Sequence, residues 1–192
     1  MKIYNKGKSK YLWLLDAGHG GLDPQGNYVT PGKRSPVFDG EQIFEGVINR
    51  QIVSQLHDWL LTAEIAHCVL SPGYKDKPLR DRTDDANNIF SKNKEAVLVS
   101  VHCNAGRGTG IEVFTSPGQT ESDAIATKFI EEAKMVVPDV EFREDWSDND
   151  PDKEAKFWVL TQTSCPAILT ENLFMDTRKD FDFLNSERVA ID

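Results

Sequence analysis

An α/β fold built on a parallel sheet is what this sequence predicts, on two observations. Two apolar runs, LWLL at 12–15 and AVLVSV at 96–101, have the length and composition of strands buried on both faces. Each then stops at a histidine set among glycines or small polar residues, His19 in DAGHGG and His102 in HCNAG. Open α/β sheets keep their ligands at the carboxyl ends of such strands. Two strands ending in this way bring two imidazoles to one edge of the sheet.

Bulk properties narrow the partners. A chain of 192 residues suits one domain with one sizeable core. With 31 Asp plus Glu against 22 Lys plus Arg, the formal charge of -9 argues against a nucleic-acid surface, which needs clustered cations. Cys68, Cys103 and Cys165 are far apart and odd in number, so they predict buried free thiols rather than a disulfide framework or zinc knuckle. The basic tail at 1–10 imitates the start of a signal peptide, but the apolar run behind it ends at Asp16 with no cleavage site. No segment approaches the ~20 apolar residues of a membrane span. The expectation is a chain without an export signal.

Taken in order, the first strand leads into a long polar loop at 22–40, a length that is usually functional in compact domains. A helix follows over 41–61, with Phe44, Ile48, Ile52, Leu56 and Trp59 on its inner stripe. Glu45 lies near its amino end, where a carboxylate either partners the helix dipole or is free to act as a ligand. A second strand at 65–70 contains His67, read as packing or hydrogen-bonded. His57 lies three turns beyond Glu45 and is too far along the axis to share its site. In the helix at 79–90, Arg80 and Arg82 oppose Asp81, Asp84 and Asp85, mostly as a solvated face.

After the strand ending at His102, Cys103 points to the other side of the sheet and is assigned to packing. A strand at 110–115 carries Glu112, which either lines the site or makes a structural ion pair. A helix at 122–137 turns Ile125, Ala126, Phe129, Ile130 and Ala133 inward, with Ser122 as its cap. The acidic stretch 139–156 invites a calcium reading at Asp148, Asn149, Asp150 and Asp152. The EF-hand template fails there, with Lys153 at its sixth position and Val159 at its twelfth, so a solvated loop is expected. Strands at 157–160 and 167–170 flank Cys165-Pro166, and the second leads into Glu171. Residues 180–184 start a closing helix.

Four groups thus converge on one edge: His19, His102, Glu171 and Glu45. Two imidazoles and one carboxylate make a catalytic zinc site with an open fourth position. Zinc polarises a carbonyl and lowers the pKa of water towards ~7, and a second carboxylate can carry the proton to a leaving amine. Spacing alone leaves open which glutamate binds metal and which moves the proton.

The sequence resembles the zinc-dependent N-acetylmuramoyl-L-alanine amidases. The resemblance rests on DAGHGG at 16–21, Phe44-Glu45-Gly46 with Asn49-Arg50, Leu79 and Arg82 before Ala86-Asn87, SVHCNA at 100–105, GIEV at 110–113, and PAILTE at 166–171 with Phe174 after it. These motifs follow the family's order from about 11 to 185. The resemblance implies a single domain over 1–192 with a mixed, mostly parallel sheet of about six strands and helices on both faces. It makes His19, Glu45 and His102 the ligands of one Zn2+ per chain and Glu171 the catalytic carboxylate. The implied activity is cleavage of the amide between the lactyl group of muramic acid and L-alanine of the stem peptide, so the partner is peptidoglycan or a muropeptide.

The acidic 139–156 stretch replaces a shorter basic or glycine-containing segment of the family. No cell-wall-binding repeats occur, so targeting is expected from the domain itself or from another protein, and a monomer is expected. Action at the bacterial cell wall without an export signal fits a phage or prophage lysin released by other means. Two rivals remain: another zinc amide hydrolase such as a carboxypeptidase, and a non-catalytic muropeptide-binding domain. The first resembles a His-x-x-Glu pair, yet Leu22 stands three residues after His19. The second does not require the full set of ligands and base.

Overall fold

The apolar runs and amphipathic stretches become six strands and five helices in the computed structural model, which describes residues 1–186. In chain order they are β1 (Leu12–Ala17), α1 (Glu45–Thr62), β2 (His67–Val69), α2 (Leu79–Lys92), β3 (Ala96–Asn104), β4 (Ile111–Thr115), α3 (Glu121–Val136), β5 (Lys153–Glu154), α4 (Trp158–Thr161), β6 (Ala167–Phe174) and α5 (Arg178–Leu184). The expected domain runs on through 187–192, which lie outside the described residues. All six strands join one sheet in the order β2-β1-β3-β6-β4-β5. Every neighbouring pair is parallel except β4 with β6.

Alternation along the strands sorts the side chains onto two faces. Leu12, Leu14, Leu98, Ala167 and Leu169 pack on one face with Ala86 of α2 and Val159 and Leu160 of α4. Leu15, Ala17, Val101, Val113 and Ile168 take the other, against Val53 of α1 and Ala126 and Ile130 of α3. The register pairs His102 with Glu171 across β3 and β6, and Glu171 with Glu112 across β6 and β4. Paired residues share a face, so all three carboxyl-edge groups stand on the α2–α4 side. Cys103 falls on the opposite side, packed with Ile48 and Leu173 as expected. All three cysteines are free and buried, and no helix among the described residues is long and apolar enough to cross a membrane.

Several expectations change. The run 157–160 is helical, not a strand: the Leu160 and Thr161 amides both donate to the Phe157 carbonyl. A four-residue apolar run does not distinguish the two states. The helix expected at 41–61 begins only at Glu45, because 34–44 is held as a hairpin in which the Ser35 amide donates to the Ile43 carbonyl. Trp59 is exposed rather than part of the inner stripe. Helix α3 is capped by Thr120, not Ser122; its hydroxyl accepts from the Ser122 amide while Asp123 reaches back to the Thr120 amide. The acidic loop is only partly solvated, since it contains β5 and buries Asp152. The basic tail at 1–10 is tied down, with Tyr4 bridged to His67 and the Ser9 hydroxyl accepting from the Ala66 amide.

Candidate metal centre

His19, Glu45 and His102 come together from three elements. His102 lies near the end of β3, His19 two residues past β1, and Glu45 is the first residue of α1. Glu45 is 3% exposed, and one of its oxygens lies 3.1 Å from His19 Nε2 and 3.1 Å from His102 Nδ1. The three ligand atoms all fall within 4.8 Å of one another. Tetrahedral zinc with bonds of about 2.05 Å separates its ligand atoms by roughly 3.3 Å, so this donor set fits zinc in both chemistry and spacing. The imidazole rings are perpendicular, at 89°. Burial raises the Glu45 pKa, but hydrogen bonds from His102 and His19 outweigh it and bring it down to about 2.

Close backbone approach makes the cluster possible. A side chain at Gly18 would meet the His102 ring at 2.2 Å, and one at Gly46 would meet the Gly20 carbonyl oxygen at 1.9 Å. His19 itself adopts φ 61°, a left-handed conformation that a non-glycine residue keeps only when its surroundings hold it.

Two arginines do this holding, and sequence reasoning assigned neither a role. Arg82 is 3% exposed, not on a solvated face. Its guanidinium donates to Asp16 Oδ1 at 2.6 Å, to the Ala17 carbonyl at 2.6 Å and to the His19 carbonyl at 3.2 Å. Arg50 donates to the carbonyls of Gly73, Gly46, Lys75 and Gly18. The available signal was Asp16: a carboxylate inside a buried strand needs a cationic partner.

Glu171 stands beside the cluster on β6, facing the same cleft of about 690 Å³. Its Oε2 is buried without a hydrogen-bond partner. Burial pushes its pKa up to about 8, the carboxylates of Glu45 and Glu112 add to the rise, and Lys33 works against it. Glu112 makes the structural ion pair: Oε1 accepts from Arg143 Nε at 2.9 Å and Lys153 Nζ at 2.5 Å, and Oε2 accepts from Asn104 Nδ2 at 2.5 Å. His57 and His67 hydrogen-bond to each other at 2.7 Å, apart from the cleft. Their pairing was not foreseen, though His67 is hydrogen-bonded as expected.

Known proteins share this sequence pattern and fold. The profile described as N-acetylmuramoyl-L-alanine amidase matches residues 14–191. A sporulation-specific N-acetylmuramoyl-L-alanine amidase of Bacillus subtilis is 30% identical over 177 residues, covering 90% of this chain and 60% of that protein. The chain thus spans less than two thirds of that relative's length. The solved N-acetylmuramoyl-L-alanine amidase of Clostridium difficile 630 superposes with a TM-score of 0.71 at 26% identity, over 95% of this chain and 90% of its own. The AmiC2 amidase of Nostoc punctiforme shares the fold, with a TM-score of 0.70 at 22% identity over 95% of this chain and 89% of its own. A family match over residues 14–191, nearly the whole chain, decides the family: this chain belongs to the N-acetylmuramoyl-L-alanine amidases.

Proposed function

We propose that this chain, as one catalytic domain over 1–192, is a zinc-dependent hydrolase of peptidoglycan. It cleaves the amide joining the lactyl group of muramic acid to L-alanine of the stem peptide. The observation that carries the reading is the approach of His19, Glu45 and His102 to ligand spacing in the cleft that is also lined by Glu171, whose Oε2 is buried without a hydrogen-bond partner. These three side chains would hold one zinc ion. When bound, zinc polarises the scissile carbonyl and makes water acidic enough to attack at neutral pH.

The chain's own groups do the remainder. Glu171 takes a proton from the attacking water and delivers it to the departing alanine nitrogen, so no free amide anion forms. Glu171 lines the cleft, and no protein donor occupies its buried Oε2. Burial favours the neutral form of this carboxyl, and the charge that a bound dication brings works against that rise, leaving a group able to accept and release a proton. Asp16 and Arg82 act one layer behind, fixing the backbone that aims His19. Such a reaction takes place at the bacterial cell wall.

Purified protein is expected to hold about one zinc per chain. Incubated with sacculi, it releases stem peptides bearing a free L-alanine amino terminus and leaves glycan strands intact, read by mass spectrometry. Cut glycosidic bonds, or peptides trimmed from their carboxyl ends as a carboxypeptidase would do, overturn the reading. Glu171→Gln keeps zinc and loses about 10²–10⁴-fold in rate, whereas His102→Ala weakens zinc binding. An active Glu171→Gln protein would reverse the roles given to the two glutamates.

A further inference from the structure

The cleft is chemically lopsided. On the α2–α4 side it is walled by Leu79, Phe157 and Trp158, which are 53%, 39% and 46% exposed. This shelf is anchored from behind. Val159 and Leu160 are buried in the core, the Asn87 side chain donates to the Gln162 carbonyl, and its oxygen accepts from the Ser164 amide. The opposite wall comes from the loop entering α1 and carries Lys33 and Arg34. Their backbone is also fixed, because the Glu45 amide donates to the Lys33 carbonyl and Arg34 bridges to Phe44. Other cations of the cleft are neutralised, Lys77 by Asp85 and Arg82 by Asp16 and Asp76. Among the described residues, Lys33 and Arg34 are the lysine and arginine side chains that line it without a salt bridge, in a chain of charge -9, and Lys33 acts on the Glu171 carboxyl only through space.

We infer that this asymmetry sets the direction in which the substrate lies: the N-acetylated sugar on the Leu79–Phe157–Trp158 shelf and the acidic stem peptide towards Lys33 and Arg34. The inference rests on the amidase reading above. The scissile carbonyl carbon is three bonds from the pyranose ring, so binding that carbonyl at the His19–Glu45–His102 cluster forces the sugar against an adjacent wall. A pyranose presents an apolar C–H face and an N-acetyl methyl, which suit exposed aromatic rings. On the other side of the amide the peptide carries carboxylates, which suit unpaired Lys and Arg. Trp59 and Trp146 are exposed away from this cleft, whereas Leu79, Phe157 and Trp158 line one cleft together with a cluster of ligating groups, as an apolar binding wall does.

Two non-cleavable probes test the two walls separately, using the zinc-loaded protein and calorimetry. One is tri-N-acetylchitotriose, which has no peptide. The other is the stem fragment L-alanyl-γ-D-glutamyl-L-lysine, with its carboxylates free or amidated. Trp158→Ala should weaken the sugar about tenfold, as loss of an aromatic anchor does, and leave the peptide unchanged. Lys33→Ala with Arg34→Ala should weaken the free-carboxylate peptide about tenfold, leaving sugar and amidated peptide alike. Failure of the wild type to bind either probe overturns the inference, as does equal loss of both probes in either variant. If both walls bind as described but sacculi yield no alanine amino termini, the amidase reading fails and the wall assignment stands.

Discussion

Arg82 donates through all three guanidinium nitrogens, and every acceptor but one lies on the strand end leading to His19 or on Asp76 beside it. Replacing it with Ala leaves Asp16 buried at 1% exposure and without its cation. The expected cost is about 3–5 kcal/mol, the usual result of removing one partner of a buried pair, read as a lower midpoint in denaturant. Arg82→Lys keeps the charge but loses the fork. It should recover part of that stability yet bind zinc more weakly than wild type, because His19 is no longer held at its left-handed φ. At this scale the sequence was legible for groups that punctuate apolar runs. His19, His102 and Glu171 are visible because chemistry interrupts a strand. Arg82 was hidden among charges on a helix, where periodicity carries no sign of a carboxylate buried 66 residues earlier.

Helix α1 shows how an element delivers a candidate ligand. Its first residue, Glu45, is placed by two contacts: the Lys33 carbonyl receives the Glu45 amide, and Gly46 lies flat against Gly20. Gly46→Ala would ordinarily favour a helix by about 1 kcal/mol. Here the added carbon meets a backbone oxygen, so the variant should lose stability and zinc affinity together, measured by thermal melting with and without a chelator. A gain in stability with intact zinc binding would show that the helix start is not fixed in this way. Strands β1 and β3 were legible because burial on both faces writes an unbroken apolar run. Helix α4 was not, since its four residues are shorter than any helical period can declare. β5 was equally silent, being two charged residues paired at the sheet's edge.

Over the whole molecule, stability should depend on pH through Asp152, which is remote from the cleft. Burial raises its carboxyl to about 7, against the hydrogen bond from Thr115, and the Asp150 carboxyl adds to the rise. The unfolded chain ionises this group near the ordinary 3.8, so the folded state keeps a proton that the unfolded state has released. Its contribution is therefore complete below about pH 4 and lost as pH rises through about 7. Asp152→Asn, a permanent mimic of the neutral group, should raise the melting temperature at pH 8 by roughly 3–6 °C, equivalent to about 1–2 kcal/mol. The gain should vanish at about pH 4, where both forms are neutral. The fold class was open to sequence reasoning because it depends on many strands at once, whereas this carboxyl depends on a single tertiary contact. The sheet order has a temporal side as well. β6 lies between β3 and β4, although it is the sixth strand to leave the ribosome. A nascent chain that has emerged only through β3 already possesses both imidazoles and Glu45, but its sheet has an open flank and no Glu171. On the function proposed above, the three candidate ligands are thus synthesised before the candidate catalytic carboxylate, which arrives with the strand that fills the sheet.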